Sequence, residues 1–182
     1  MQRRNIINSP HLHIIVNRLC RQLIENHGEF ENTVLIGMQP RGVFLAKKIQ
    51  KLLHDILLKK VPLGILDTTF YRDDFKRREL QKPYSMDIPF SVEGKKVILI
   101  DDVLYTGRTV RAAMDALIDF GRPSCVELMV LIDRIYSREL PVEAHYIGKK
   151  VNSLHSEKVW VELSENDFDS DNVWLIEKTP KT

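Results

Sequence analysis

No stretch of this 182-residue chain is apolar for long enough to span a bilayer. Met1-Gln-Arg-Arg-Asn opens it without the hydrophobic segment of a signal peptide. The expectation is a cytoplasmic protein with no membrane partner. Cysteine is scarce: Cys20 and Cys125 only, both among apolar neighbours. That argues against a disulfide framework and predicts two small buried hydrophobes. Net charge is small, +2 from 27 Lys and Arg against 25 Asp and Glu, and gives no argument for nucleic acid. Neither the P-loop nor the Rossmann glycine pattern occurs, and no internal repeat or low-complexity tract is present. With 43% hydrophobic and 29% charged residues, the composition is that of a globular protein, and the length suits one domain over 1–182.

Apolar periodicity alternates along the chain. Ser9-Pro10 suits a helix start, and Leu12, Val16, Leu19 and Leu23 recur at helical spacing until His27-Gly28. Thr33–Met38 predicts a buried strand, 41–58 a helix, and 61–66 a strand. A strand over 95–101, a helix over 107–120 and a strand over 125–132 follow. Strands separated by helices predict an α/β fold, a central mostly parallel sheet flanked by helices. In such sheets ligands collect beyond the carboxyl ends of the strands. The pattern fails over about 68–92, a polar, charged insert with Pro83 and Pro89, which predicts a flexible loop. Strand-like pieces at 142–147, 158–163 and 173–177 predict a small accessory lobe over about 133–182.

Residues 97–109 carry the most chemistry. Val97, Ile98, Leu99 and Ile100 make a short apolar strand, and Asp101 and Asp102 follow at its end. Val103, Leu104 and Tyr105 lead into a small, hydroxylated turn of Thr106, Gly107, Arg108 and Thr109, and then a helix begins. Helix N-terminal N–H groups attract an anion, and glycine allows close backbone approach. Two carboxylates beside that cradle can hold two vicinal hydroxyls or a hydrated Mg²⁺. Strand, acids, turn and helix together suit a sugar phosphate.

Three further candidates surround this segment. Pro40, Arg41 and Gly42 lie in a sharp turn between strand and helix, suited to a second anionic group such as pyrophosphate. Tyr71 and Arg72 open the irregular insert and could close over a ligand and neutralise a leaving anion. Asp133 and Arg134 end another strand, facing a base or pairing with each other.

The segment 97–109 resembles the phosphoribosyl pyrophosphate (PRPP) signature of the type I phosphoribosyltransferases. Phe70-Tyr-Arg-Asp-Asp, Asp119-Phe-Gly-Arg-Pro-Ser, Arg138-Glu-Leu-Pro-Val, Tyr146-Ile-Gly-Lys and Ser156-Glu-Lys-Val narrow the resemblance to the PyrR proteins. Those are pyrimidine-operon regulators with uracil phosphoribosyltransferase activity. The resemblance implies transfer of phosphoribosyl from PRPP to uracil, giving UMP and pyrophosphate, with Mg²⁺ held mainly by PRPP. It implies ribose and 5′-phosphate binding by Asp101, Asp102 and Thr106–Thr109, and pyrophosphate binding by Pro40, Arg41, Gly42 and Arg72. Asp133, Arg134 and Ile147 would lie on the base side, and the protein would be a homodimer or larger homo-oligomer. Purine phosphoribosyltransferases place an aspartate where Tyr105 stands, which argues against a purine substrate here and leaves Asp115 as an alternative acid. Arg77, Arg78 and Lys82 keep an orotate alternative open.

The resemblance also implies an mRNA leader hairpin as partner, gripped by the N-terminal helix and the stretch 138–156. There the chain departs from the RNA-binding pattern. Ile135-Tyr-Ser precedes Arg138 without a histidine, Glu143 stands where a basic residue is usual, and Asn152-Ser153-Leu154 replaces Pro-Thr-Ser. Arg3, Arg4, Arg18, Arg21, Lys149, Lys150 and Lys158 still supply positive charge.

Overall fold

A computed structural model describes residues 3–71, 86–153, 156–166 and 168–177. In chain order the elements are β1 (Arg3–Ile7), α1 (Ser9–His27), β2 (Thr33–Met38), α2 (Gly42–Leu57) and β3 (Leu63–Leu66). They continue with β4 (Lys96–Leu104), α3 (Arg108–Leu117), β5 (Cys125–Ile135), β6 (Tyr146–Asn152), β7 (Glu157–Glu162) and β8 (Asn172–Glu177). Five strands form the main sheet in the order β3-β2-β4-β5-β6, every pair parallel. Apolar residues of α1 and α2 pack on one face of it, and Val110, Ala113, Ala116 and Leu117 of α3 on the other. With both faces covered, the central strands are continuous apolar runs; all six residues of β2 are buried.

Helix α1 buries Leu12, Val16, Leu19, Cys20 and Leu23 as one stripe. Its cap is Asn8, whose side chain accepts from the His11 N–H at 3.2 Å, one residue before the expected Ser9. Asparagine caps as well as serine does, so the sequence left the two adjacent positions equivalent. Gly28, at φ +55°, ends the helix.

A second, three-stranded antiparallel sheet has the order β1-β8-β7. Lys48 of α2 ties it to the main body, bonding Asp171 at 2.8 Å and Glu165 at 3.0 Å. The accessory lobe expected over 133–182 is therefore smaller and differently built. Residues 133–135 extend β5, and β6 is the parallel edge strand of the main sheet, replacing the strand expected at 142–147. The lobe instead recruits β1, whose short, Arg-rich sequence gave no strand signal. The insert expected over 68–92 is packed at both ends. Residues 69–71 form a 3₁₀ turn, Asp87 bridges Ile65, and Val92 is fully buried. The predicted helix over 107–120 divides into α3 and a 3₁₀ turn at Ile118–Phe120. Cys20 is buried as expected, and burial pushes its thiol up to about 12. Cys125 is exposed, because it is the first residue of β5 and stands at the strand's solvent end.

Candidate active site at the carboxyl end of the sheet

Strand β2 is followed by α2 on one face, and β4 by α3 on the other, so the chain leaves two adjacent strands in opposite directions. A crevice opens at such a point. Strand β4 pairs with β2 only as far as Gly37 opposite Ile100, then continues along β5 to Leu104 opposite Asp133. Asp101 and Asp102 are the first residues past the end of the β2 pairing. They were expected at the end of the strand; instead the strand runs three residues further, because β5 is longer than its apolar run suggested.

Asp101 Oδ1 accepts from the Asp102 N–H at 2.9 Å. Burial, and the Asp102 carboxylate beside it, push the Asp101 carboxyl well above the usual carboxylate range. Asp102 is 8% exposed and accepts from Arg41 Nε at 2.8 Å. Arg41 also donates to the Val161 carbonyl of β7, and its guanidinium lies 4.3 Å from the Trp160 ring centre. The pyrophosphate candidate is thus held against the sugar candidate. Gly42 explains how α2 comes so near: a Cβ there would sit 2.3 Å from the Ile100 carbonyl oxygen and 2.8 Å from Asp101 Cα. Pro40 is exposed beside them, after a cis Gln39–Pro40 bond.

The turn after β4 is braced from outside. Gly107 adopts φ +92°, which favours glycine, and caps α3 with no side chain. The Glu139 and Leu140 N–H groups donate to the Thr106 carbonyl at 3.0 and 3.2 Å, and Arg108 Nε meets Glu139 at 2.6 Å. Tyr105, Thr106, Arg108 and Thr109 are half-buried in the turn, as are Asp101 and Val103 before it. Val97, Ile98, Leu99, Ile100 and Leu104 are buried core residues that support the site without lining it.

Asp133 and Arg134 do not pair with each other. Both lie within β5 and are buried, and Asp133 takes Arg138 as its ion-pair partner. Arg138 also donates to the carbonyls of Tyr105 and Val142, stapling the ends of β4 and β5 to the following loop. Arg134 stacks on Tyr105 at 4.0 Å and donates to Ser153 Oγ at 2.7 Å. Ile147 lies in one row with Val130 and Asp101, two strands away from the carboxylate pair. Its side chain packs against the α3-side core, and its carbonyl accepts from Arg18 at 3.1 Å. Tyr71 donates its hydroxyl to Asp119. Arg72, Arg77, Arg78 and Lys82 lie outside the described residues.

Sequence reasoning missed Trp160 and the stapling role of Arg138. Trp160 carried a signal: in Val159-Trp160-Val161 the valines are buried, so alternation turns the indole to the other side of β7, where nothing apolar was expected.

Residues 2–166 match the family model described as "Phosphoribosyl transferase domain". Among solved structures, a hypoxanthine phosphoribosyltransferase of Trypanosoma cruzi superposes with a TM-score of 0.71 at 13% identity, covering 97% of each chain. A Staphylococcus aureus enzyme of the same name gives 0.69 at 20% identity, covering 97% of this chain and 93% of that one. At such identities these structures speak for the fold alone. Fold and domain define a phosphoribosyltransferase. Sequence relatives are nearer. "Bifunctional protein PyrR" of Caldicellulosiruptor bescii is 46% identical over 176 residues, covering 96% of this chain and 95% of the relative. "Bifunctional protein pyrR" of Enterococcus faecalis is 42% identical over 167 residues, with 92% and 93% covered. "Pyrimidine operon regulatory protein" of Lactococcus lactis is 43% identical, with 92% and 94% covered. The chain belongs to the PyrR family of phosphoribosyltransferases.

Proposed function

We propose that the protein transfers the phosphoribosyl group of PRPP to uracil, giving UMP and pyrophosphate. One observation carries this: paired carboxylates at the switch point of a parallel sheet, followed directly by a hydroxyl- and glycine-bearing turn at the start of a helix. Asp101 and Asp102 hold the ribose hydroxyls. The negative charge the pair carries favours the positive charge that develops at C1 as the bond to pyrophosphate breaks. Thr106, Gly107, Arg108 and Thr109, with the N-terminal N–H groups of α3, take the 5′-phosphate. Arg41 takes the leaving pyrophosphate once it exchanges Asp102 for phosphoryl oxygens. We assign Arg72 to the same group by family resemblance. The nitrogen of uracil forms the new bond to C1 and loses its proton to water; no covalent protein intermediate is required. Among the described residues no cluster of three or more His, Cys, Asp or Glu forms a metal site. Two carboxylates without a third ligand suit Mg²⁺, which keeps its waters and substrate oxygens and supplies charge neutralisation on PRPP when bound.

The test is incubation with labelled PRPP, Mg²⁺ and uracil, orotate, hypoxanthine, guanine or xanthine in turn. The expected product forms with uracil alone; product with a purine instead refutes the base assignment.

The regulatory name of the Lactococcus lactis relative favours a second role, UMP-responsive binding of a pyrimidine-operon leader RNA. Filter binding with and without UMP checks it, with a steep salt slope expected for phosphate contacts. We include in the proposal a cytoplasmic location, one domain over 1–182 and a homodimer or larger assembly.

A further inference from the structure

Arg41 is held in three ways. Nε donates to Asp102, a terminal N–H donates to the Val161 carbonyl, and the guanidinium lies 4.3 Å from the centre of the Trp160 ring. The first two contacts use guanidinium N–H groups, whereas the third places the guanidinium carbon over the indole ring. Phosphoryl oxygens compete for the N–H groups, because they present the same paired acceptors as a carboxylate. They do not compete for the ring contact, so it persists while the hydrogen bonds change hands. An arginine side chain has large rotamer freedom, and a ring that holds it in every state removes that ordering from ligand binding. The same exchange frees Asp102 for ribose. Lys158 Nζ lies 4.4 Å from the centre of the same ring, so the indole gathers a second cation.

We propose that Trp160 is a positioning residue, whose indole keeps the Arg41 guanidinium at the site while it passes from Asp102 to the pyrophosphate of PRPP. This rests on the PRPP assignment above, which the same experiment tests separately.

Trp160→Leu and Trp160→Phe are compared with the parent by calorimetry of PRPP binding with Mg²⁺ and by steady-state kinetics. Loss of one cation–π contact predicts a PRPP Kd and KM raised about 2- to 30-fold in the leucine variant. Turnover stays within about twofold and the nucleobase KM is unchanged, because the ring touches Arg41 and not the reacting atoms. Phenylalanine restores most of the loss. Trp160 and Trp174 are the only two tryptophans, so in a Trp174→Phe background the emission reports Trp160 alone. That emission is expected to change on PRPP addition, with a midpoint at the calorimetric Kd.

A parent that binds PRPP, with a leucine variant that binds it equally well, overturns the role of Trp160 and leaves the enzyme assignment standing. So does phenylalanine no better than leucine, or a loss confined to the nucleobase KM. A parent that fails to bind PRPP overturns both. If the leucine variant does not fold, the phenylalanine variant and the emission titration decide: an unchanged PRPP Kd together with silent emission refutes the proposal.

Discussion

Replacing Gly42 by alanine adds one methyl group where α2 crowds most closely against β4. Its carbon would stand 2.3 Å from the Ile100 carbonyl oxygen, 2.8 Å from Asp101 Cα and 3.1 Å from Asp101 Oδ1. Carbon and oxygen approach in proteins to about 3.3 Å, so α2 must withdraw from β4 by about 1 Å. The two nearest obstacles are backbone, which cannot rotate aside. Overpacking of this kind destabilises by about 1–3 kcal/mol. The helix-propensity gain from glycine to alanine opposes it by at most about 1 kcal/mol, and less at a first helical position. At 2–4 °C per kcal/mol for this chain length, the Tm falls by up to about 10 °C. The functional loss is larger in proportion. Withdrawal of α2 stretches the 2.8 Å contact of Arg41 with Asp102, and a displacement of about 1 Å can reduce turnover about 100-fold. Gly28→Ala is the control: its Cβ meets nothing within 4 Å, but at φ +55° and ψ −120° an alanine is strained by about 1–3 kcal/mol without touching the site. Melting curves and PRPP-dependent product formation are measured on both. A Gly42→Ala protein with the parent's Tm and turnover would refute the close-approach reasoning, as would equal loss of turnover in Gly28→Ala.

Arg138→Ala leaves the buried Asp133 carboxylate without its ion partner, and urea unfolding is expected to show a loss of about 3–5 kcal/mol. Adding Asp133→Asn to that variant should recover part of it. Glu127 is drawn up by burial, but hydrogen bonds from Tyr146 and the neighbouring His27 outweigh this and hold its carboxyl below the usual range. A lowered folded value means stability that is present above the unfolded pKa and lost as pH falls through the folded one. Glu127→Gln should therefore lower the Tm at pH 7 and converge on the parent in acid; a constant difference across pH would contradict the linkage. Thiol titration of the native protein should give one fast equivalent, from Cys125, and two after denaturation; Cys125→Ser should abolish the fast one.

The sheet was legible because each buried strand is a continuous apolar run. Thr33–Met38 was found with its ends correct. The carboxylate pair was legible because charge interrupting such a run is rare. What escaped depended on partners distant in sequence. Asp133 gave no sign that it would choose Arg138 over its neighbour Arg134, since that depends on how the following loop folds back. Strand β4 outran its apolar stretch because β5 offered it a ladder, which no local pattern records. The first strand, Arg3–Ile7, exists only because β8 is there to pair with it.

That last pairing sets an order of events. Asn5 and Asn172 touch across 167 positions of chain, so the small sheet joins β1 to β7 and β8, the last of the described strands to be synthesised. The five parallel strands are complete once Asn152 has been synthesised, twenty residues before β8 begins at Asn172. Closing so long a loop is entropically slow, and the indole that rests on Arg41 belongs to this late sheet. A nascent chain would thus hold a finished nucleotide-type core while still lacking the ring that steadies its arginine.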